Sequence, residues 1–580
     1  MLHCRVLLRP LLIGVLVNLP ALLQVAPAQA ASLLDAAPEG VLMQQERQAQ
    51  TQAMLPAQGN QLHAGSVVIP DLYNLPPETP CFVIHSEHLS GARAGNFYWL
   101  NWYALPLIGR CVGPQALEKT VEVLDVELVA MGYTTSRVSL PPQNLSSGDL
   151  DIHIDVGTVS SVRMVRADNG KPDTDWGSWR NAFSVSAGDT LNVRDLEQGI
   201  ESMDALSSQS VHTLLEPGPT PGSSIVVIQR QNAPWRQRIH GGVTLDNSGS
   251  EYVGRPQLST AASLENPAGL NDILSMNASS NLEHATANHR SQSLGANYSL
   301  PWDYNAFTFS DNYVRYAQIV QGTTAQFLSS GSNHTVKMQW DRTIWRSAST
   351  KVGIFASLFA EQATSYLNDV EVAVQQLNTF NADRGLSVDT KLPAGGEITA
   401  RIDYRTGLAS NGAQNDLPTA TTGGLTVRPD IWSMTANWRQ PFTLDKQPYV
   451  FTSAFHGQST RDTLISQDQI FIGDRYSVRG FDGNTVLMAE SGYTLRNELS
   501  RPVSLMFGWQ SAAYVGADIG RVWGPSAINL VGTELAGAVV GVRGQQADIQ
   551  YDLALGTPLY HPAGFDSGRF NAYLSITKIF

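Results

Sequence analysis

The sequence of 580 residues is poor in charge, poor in cysteine and, past its first thirty residues, free of long apolar runs. Charged residues make up 15% of the chain, and there are three cysteines. No later stretch has the roughly 18 apolar residues in a row that a membrane-spanning helix requires. The formal net charge of −13 argues against nucleic acid and anionic lipid headgroups as partners. These absences disfavour both a helical membrane protein and a nucleic-acid-binding protein.

Sequence motifs of common catalytic and metal sites are also missing. There is no phosphate-binding G-x-x-x-x-G-K-[ST] loop, no H-E-x-x-H zinc motif and no G-x-S-x-G nucleophile turn. The 12 histidines are scattered, and no Cys/His cluster has zinc spacing. We therefore expect no catalytic residues, no metal and no cofactor, and transport instead of enzymatic turnover.

The first thirty residues have the organisation of a secretory signal peptide. Arg5 and Arg9 form a basic start, residues 11–25 are largely apolar, and residues 28–30 offer a small-x-small cleavage site. A membrane anchor is the alternative, but the apolar run is short and interrupted. We assign residues 1–30 to a signal peptide and expect the mature chain to be exported.

Two cysteines remain once the signal peptide, with Cys4, is removed. Cys81 and Cys111 are an even pair in an exported chain, where an oxidising compartment favours a disulfide over two reduced, buried thiols. Such a bridge closes a loop of about thirty residues and stabilises the fold by about 3 kcal/mol.

The segment after the signal peptide is polar. Residues 31–56 are rich in glutamine and in good helix formers, which predicts a helix. Residues 57–80 contain four prolines and predict an extended linker. A polar helix on a tether is compatible with a plug in a wet pore and with a solvated tail, and its sequence alone favours the tail.

Two small α+β units follow, in residues 81–156 and 157–232. The first has a helix over residues 114–131, with apolar residues at helical spacing, and the second repeats the plan with a helix over residues 193–206. Strand-like segments flank both helices. We expect core packing to explain most of these apolar residues, and we expect functional contacts at exposed strand edges.

Residues 233–580 run as repeated strands whose side chains alternate in polarity. Val336, Met338 and Trp340, for example, alternate with Lys337, Gln339 and Asp341, and the same pattern recurs down to the last residue, Phe580. Apolar-out, polar-in alternation over so many strands is typical of a transmembrane barrel and less so of a soluble β-sandwich. At roughly 20 residues per strand and connection, the region predicts a β-barrel membrane protein of about 16 antiparallel strands.

One segment of this region differs from its alternating surroundings: Val478-Arg479-Gly480-Phe481. Gly480 permits a turn, Arg479 offers a planar, always-charged fork for a carboxylate, and Phe481 is suited to packing at the tip. This combination suits a loop that folds back into a polar cavity. An ordinary turn that contains an arginine is the simpler reading of the motif alone.

A carboxylate for that fork occurs about forty residues later. In the strand around Asp518, the side chains of Gly516, Asp518 and Gly520 share one face, and two glycines beside an acid leave room for an approaching loop. On the strand before it, Arg496 and Glu498 also face the interior. We interpret those two as part of a charged wall lattice.

Together the two motifs resemble the TpsB family, the outer-membrane transporters of two-partner secretion. In the wider superfamily, which includes the barrel-assembly insertases, a V-R-G-[FY] loop enters the barrel and its arginine pairs with the aspartate of a G/F-x-D-x-G strand. The resemblance covers essentially the whole mature chain. It implies that the two small units are polypeptide-transport-associated (POTRA) domains, that residues 31–56 plug the lumen, and that Phe580 belongs to a C-terminal assembly signal.

The same resemblance implies a function. The chain is expected in the bacterial outer membrane, with its POTRA domains in the periplasm, where they capture an unfolded exoprotein that carries an N-terminal secretion domain. An adhesin, haemolysin or contact-dependent toxin then passes through the barrel to the cell surface. Outer-membrane lipid is expected around the barrel, and barrel-assembly machinery and periplasmic chaperones during biogenesis. A barrel-assembly insertase and a passive porin or receptor barrel are the alternatives.

Overall fold

The computed structural model of the chain describes residues 61–63, 72–75, 77–283, 288–321, 326–504 and 509–580. The expected signal peptide (1–30) and plug helix (31–56) lie outside these residues, as does part of the linker 57–80. Within the described ranges, no helix has both the length and the apolarity to cross a membrane.

Domain 1 follows the linker and contains a three-stranded sheet with a long helix. Its elements are β1 (Phe82–Val83), β2 (Ser86–Ser90), β3 (Cys111–Val112), α1 (Pro114–Ala130), β4 (Arg137–Ser139) and β5 (Asp149–Asp155). Strand β5 lies between β2, to which it is parallel, and β4, to which it is antiparallel. Proline begins α1 where no backbone donor is needed, and the Glu78 carboxylate accepts hydrogen bonds from Gln115 N and Ala116 N, both at 2.8 Å.

The cysteines of domain 1 are bridged. Cys81 and Cys111 form a disulfide with their Cα atoms 5.2 Å apart, beside the short ladder in which β1 pairs with β3. The inward face of α1, including Leu124 and Leu128, packs on Ile152 in a fully buried core. The bridge therefore ties the start of the domain to the strand that leads into α1.

Domain 2 repeats this plan directly before the barrel. It contains β6 (Thr158–Arg166), α2 (Val193–Asp204), β7 (Gln209–Pro217) and β8 (Ser223–Asn232). Strand β8 is central, parallel to β6 and antiparallel to β7. The Asn192 side chain caps α2 by accepting from Arg194 N at 2.8 Å. Helices α1 and α2 end one and two residues before the ends expected from the sequence, at Ala130 and Asp204.

Sixteen antiparallel strands close into a barrel. They are β9 (Ile239–Asp246), β10 (Gln257–Glu265), β11 (Ile273–Asn281), β12 (Arg290–Trp302), β13 (Asn305–Gln321), β14 (Gln326–Arg346), β15 (Thr350–Leu367), β16 (Leu377–Lys391), β17 (Glu397–Gly407), β18 (Asp430–Leu444), β19 (Gln447–Thr460), β20 (Ser491–Ser504), β21 (Gln510–Trp523), β22 (Glu534–Gln546), β23 (Ile549–Tyr560) and β24 (Asn571–Ile579). Barrel closure satisfies the backbone groups that an open sheet edge would expose to lipid.

The barrel closes where its last strand meets its first. Strand β24 pairs with β9 from Ser575–Asp246 to Ile579–Gly242. Beyond that ladder, the backbone of Phe580 donates to Gly241 O at 2.9 Å and accepts from Gly241 N at 3.0 Å. The final residue therefore extends the junction that completes the wall.

The two faces of the wall and the two ends of the barrel differ. On β21, Val515, Ala517 and Ile519 are exposed outward, while the residues between them are buried toward the lumen. At the end next to domain 2 the connections are tight turns, such as Asp445-Lys446, where both residues have positive φ. At the opposite end most connections are longer, as in residues 408–429 and 461–490.

One long connection folds into the barrel. This inward loop (residues 461–490) joins β19 to β20 and has two parts. Its proximal lobe (461–469) reaches β15 to β17, and its distal lobe (470–489) contains a small hairpin, Ile470–Ile472 paired with Leu487–Ala489, and lies on β20 to β24. Both lobes lie across the lumen near its long-loop end.

Candidate functional site

A tight turn shapes the distal lobe before its arginine. Asp474 is buried, and its Oδ1 accepts hydrogen bonds from Tyr476 N at 3.1 Å, Ser477 N at 2.7 Å and Ser477 Oγ at 2.5 Å. Ser477 Oγ in turn accepts from Gly473 N at 3.0 Å. This side-chain-to-backbone turn fixes the direction in which the chain enters the tip.

Arg479 uses every nitrogen of its side chain on the barrel wall. Nε donates to Asp518 Oδ2 at 2.7 Å and Nη2 to Asp518 Oδ1 at 2.8 Å, which makes a bidentate pair. Nη1 donates to Glu498 Oε2 at 2.7 Å, and Nη2 also to Asn497 O at 3.3 Å. The Asp518 side chain is fully buried and that of Arg479 is 8% exposed. The structure therefore brings together the two residues that the motifs singled out.

Glu498 is a member of this site that sequence reasoning missed. The interpretation of Glu498 as wall lattice was wrong in part, because its carboxylate contacts Arg479 directly and also accepts from Arg543. Strand register explains the miss: β20 and β21 pair Glu498 with Gly516 and Arg496 with Asp518. Arg496 also contacts the loop, donating to Tyr476 O at 2.8 Å. Knowing that β20 and β21 are neighbours in this register would have placed Glu498 beside Asp518.

Glycines make the close approach of loop and wall feasible. Gly480 has φ +119°, and a Cβ there would lie 2.6 Å from Thr557 O. A Cβ at Gly537 would overlap Arg479 O, and one at Gly520 would lie 2.8 Å from a methyl carbon of Val478. At Gly516 it would lie 2.5 Å from Arg479 Nη2. The strand glycines therefore leave the volume that the loop tip fills.

The last strand holds the tip from the other side. Tyr573 Oη accepts from Gly480 N and donates to Phe481 O, both at 2.8 Å, and Asn571 Nδ2 donates to Gly480 O at 2.6 Å. Neither residue has a sequence motif that marks it, so both were missed. They satisfy backbone groups of the loop that would otherwise be buried without partners.

The side chain of Phe481 is buried at the tip of the loop. It is 1% exposed, and its ring meets that of Phe565 edge to face with the centroids 5.6 Å apart. Val478, on the other side of the motif, packs in the same cluster with Val522 and Leu535 of the wall. The tip is therefore held by charge, by backbone hydrogen bonds and by apolar packing together.

At the opposite end of the lumen, α2 of domain 2 docks against the barrel mouth. Tyr304 Oη donates to Asp195 Oδ1 at 2.5 Å, Arg346 Nη1 to Glu201 Oε2 at 2.7 Å and Lys351 Nζ to Glu201 Oε1 at 2.6 Å. Burial alone would raise the pKa of Glu201, but Lys351 and Arg346 outweigh it and the net pKa is lowered. Burial raises the pKa of Asp195 despite its hydrogen bond from Tyr304.

A second contact joins domain 2 to the turn between β10 and β11. Trp176 Nε1 donates to Asn266 O at 2.9 Å, and Ser178 N donates to Gly269 O at 2.8 Å. The segment that carries both residues is fixed from within domain 2, because the buried Arg230 pairs with Asp173 at 2.7 Å. Domain 2 is thus bound to the barrel on two sides of its mouth.

Across the described ranges, no group of three or more His, Cys, Asp or Glu side chains has an arrangement that could hold a metal ion. The arginine, the two carboxylates and the glycines instead form a seat for a peptide segment inside a barrel.

Known proteins share this architecture. The model of the family of haemolysin secretion/activation proteins ShlB/FhaC/HecB matches residues 222–544. A ShlB-type POTRA domain matches residues 82–157, and a POTRA domain matches residues 161–217. Domains 1 and 2 are therefore POTRA domains.

Individual relatives extend the match over the whole chain. The outer membrane transporter CdiB-2 of Burkholderia pseudomallei (strain 1026b) is 34% identical over 97% of this chain and 98% of its own length. The hemolysin transporter protein ShlB of Serratia marcescens is 26% identical over 77% of each chain. Solved structures of CdiB from Acinetobacter baumannii and from Escherichia coli have TM-scores of 0.79 and 0.78 at 24% identity, and cover 95% of this chain and 100% of theirs. The two solved structures show the same fold. The chain therefore belongs to the ShlB/FhaC/HecB family, and it is an outer-membrane transporter of two-partner secretion, with periplasmic POTRA domains, that exports a secreted exoprotein.

Proposed function

We propose that the exported partner is a large exoprotein with an N-terminal secretion domain, of the adhesin, haemolysin or contact-dependent toxin kind, and that it crosses the barrel unfolded. The relatives named CdiB and ShlB favour this class of partner. The observation that carries the proposal is the seat of Arg479 on Asp518 and Glu498, inside a closed barrel whose mouth is docked to a POTRA domain.

Capture in the periplasm uses the free edge of β7. The sheet order β6-β8-β7 leaves β7 with one neighbour, so its outer backbone groups are open to an added strand. Leu214 and Leu215 on this strand are 49% and 39% exposed, which gives an incoming apolar chain side-chain contacts as well. In strand addition, the added segment is bound mainly through backbone hydrogen bonds, which depend little on its sequence. This mode of binding suits an unfolded exoprotein.

The transporter acts without catalysis in this proposal. With no nucleotide-binding motif in the sequence, folding of the exoprotein outside the cell supplies the direction of export. Residues 1–30 direct the chain to the periplasm and residues 31–56 occupy the lumen at rest. Outer-membrane lipid surrounds the exposed apolar faces, periplasmic chaperones and barrel-assembly machinery handle the precursor, and nucleic acid has no part.

Co-expression with a candidate exoprotein, a large protein that carries an N-terminal secretion domain, tests the proposal. The exoprotein is expected in the medium with the intact transporter, and in the periplasm with a variant that lacks residues 81–156. Leu214→Lys combined with Leu215→Lys is expected to reduce secretion while the barrel still assembles. Unchanged secretion by the Leu214→Lys, Leu215→Lys variant would contradict capture at β7. Unchanged secretion without domain 1 would favour a passive pore, and a general loss of other outer-membrane proteins would favour an insertase.

A further inference from the structure

We infer that the exoprotein leaves along one side of the lumen, beneath the proximal lobe, and that the ion pair between Arg405 and Asp468 is the latch that holds this lobe closed. The inference rests on the proposed function and specifies its route. It follows from a difference between the two lobes of the inward loop.

The distal lobe is held by many independent contacts. Arg479 donates its four side-chain hydrogen bonds to β20 and β21, and β24 contributes those of Tyr573 and Asn571. An apolar cluster buries Ile470, Ile472, Val478, Phe481 and Leu487 against Val522, Leu535 and Phe565. Moving this lobe would break all of these contacts together and separate the buried Asp518 from Arg479.

The proximal lobe makes fewer contacts with the wall. Gln458 of β19 donates to Asp468 O at 2.7 Å, and Asp462 accepts from Asp430 N of β18 at 2.7 Å. In the part of the chain that the structure describes, the pair of Asp468 Oδ1 with Arg405 Nη1, at 3.3 Å, is the one ion pair between this lobe and the barrel. Ile465 packs against Ala363 and Leu377 of the wall. The short ladder of residues 463–464 is made with residues 425–426 of another long loop, so it does not fix the lobe to the barrel.

Arg405 can keep a partner when the latch opens. Its Nε donates to Asp383 at 3.1 Å, and Lys337 lies 3.4 Å from the same carboxylate. The Arg405 side chain is 32% exposed, so the lumen already solvates it in part. After Asp468 is released, Arg405 is still paired with Asp383 and still partly hydrated. Release of Arg479, by contrast, would take the bidentate partner away from the buried Asp518.

Open space lies under the proximal lobe on the same side of the barrel. A cavity of about 480 Å³ opens at the periplasmic end between α2 and the strands from β11 to β18. Lumen-facing residues that line it include Thr308, Asp341, Lys351, Ser387, Asp389 and Thr399. A second cavity of about 620 Å³ lies under the distal lobe and is lined by residues such as Gln545, Asp552 and Ser575. Among the described residues both sides have space, so once residues 31–56 have left the lumen, the strength of the lid above each cavity decides the route.

Cysteine crosslinking separates the two routes. An exoprotein fragment with one cysteine is stalled in the barrel by a folded C-terminal fusion. The transporter carries Ser387→Cys or Thr399→Cys on one side, and Gln545→Cys or Ser575→Cys on the other. We expect disulfide crosslinks at the first pair to exceed those at the second several-fold. Equal crosslinking, or an excess at the second pair, would overturn the inference. Secretion of the unfused fragment is measured alongside, and its absence would contradict the proposed function itself.

Channel recordings in planar lipid bilayers test the latch. Arg405→Ala removes the partly exposed ion pairs of Arg405 with Asp468 and with Asp383, and it is expected to raise the frequency of open-channel events about two- to fivefold. Arg405→Lys restores the charge and is expected to return the frequency toward that of the unmodified transporter, a rescue that general damage to the wall would not give. Lys391→Ala is the matched control, because the Lys391–Glu397 pair, at 2.7 Å, joins β16 to β17 at their other end. An unchanged opening frequency in Arg405→Ala would overturn the latch.

Discussion

Two buried arginines, one at each end of the barrel, differ in how completely they are bound. Every nitrogen of the Arg479 side chain has an acceptor, and two carboxylates share its charge. The Arg346 side chain is more deeply buried, at 1% exposed, yet among the described residues its Nε and Nη2 make no hydrogen bond, and Nε lies 3.6 Å from Glu197 Oε2. The comparison teaches that burial alone does not make a rigid contact. Every side-chain nitrogen of Arg479 is hydrogen-bonded, whereas two side-chain nitrogens of Arg346, in the contact between domain 2 and the barrel, are not.

The largest effect is expected from Arg479→Ala. This change removes the bidentate partner of the buried Asp518 and leaves it only Arg496 Nε, 4.0 Å away, which costs about 3–5 kcal/mol, and the distal lobe should leave its seat. Secretion is expected to fall by at least about tenfold, while heat-modifiable migration on a gel still shows a folded barrel. Arg479→Lys, which keeps the charge but not the fork, should give an intermediate loss. Normal secretion by Arg479→Ala would contradict the conclusion that Arg479 makes the stronger of the two contacts.

A smaller effect is expected from Glu498→Gln. The amide keeps the shape of Glu498 but has one acceptor oxygen, so it cannot accept from both Arg479 and Arg543 as the carboxylate does, at a cost of about 1–2 kcal/mol. Because Asp518 still holds the fork, secretion should fall only a few-fold. The double variant with Asp518→Asn measures the coupling of the two carboxylates. Strictly additive losses would mean that the carboxylates do not share one arginine in function.

Arg346→Met is expected to act on docking more than on secretion. Methionine keeps most of the volume but loses the bonds to Gln198 and Glu201. Lys351 still holds Glu201 at 2.6 Å, so the free energy of docking should fall by only about 1 kcal/mol. Faster limited proteolysis between domain 2 and β9 is the readout. If Arg346→Met abolished secretion as fully as Arg479→Ala, the two arginines would not differ as described.

The smallest effect is expected from pH. The pKa of Glu201 is lowered from its ordinary value of 4.5, so its contribution to docking is complete above that value and is lost as the pH falls through the lowered value. The raised pKa of Asp195 acts in the opposite sense, because protonation of this buried carboxyl relieves the penalty of burying its charge. The protection factors of the α2 amides, which correct hydrogen exchange for its intrinsic pH dependence, should therefore rise slightly as the pH falls through the raised pKa of Asp195 and decline as it falls toward the lowered pKa of Glu201. Glu201→Gln should remove the decline and keep the rise.

Local sequence patterns were sufficient for the architecture. Alternation on strands such as β14 and β21 predicts a barrel, because each strand carries its own inside and outside, and the length of the region at roughly 20 residues per strand and connection predicts the observed size. The helices of the POTRA domains could be placed to within one or two residues by the same kind of periodicity. The motif around Arg479 was also visible, because a fork, a glycine and an aromatic are consecutive in the chain.

Contacts that depend on register could not be predicted. Glu498, Asn571 and Tyr573 reach the loop only because particular strands are neighbours at a particular offset, and alternation fixes the face of a residue but not its height in the barrel. Asp474 shapes the turn through bonds to residues two and three positions away, a pattern shared by many exposed turns. The pairing of Asp468 with Arg405 joins residues more than sixty positions apart across a lumen that the sequence does not describe.

The glycine at position 537 bears on how this protein can vary. It lies against the Arg479 carbonyl, where even one methyl group would overlap the loop backbone. Alanine there would act as a wedge that lifts the arginine off its acids although every charge is still present. Substitutions around Arg479 are therefore limited by the space beside Gly537 of β22 as strictly as by the carboxylates of β20 and β21 that bind the arginine. A saturation screen of position 537 should recover glycine alone among fully active variants.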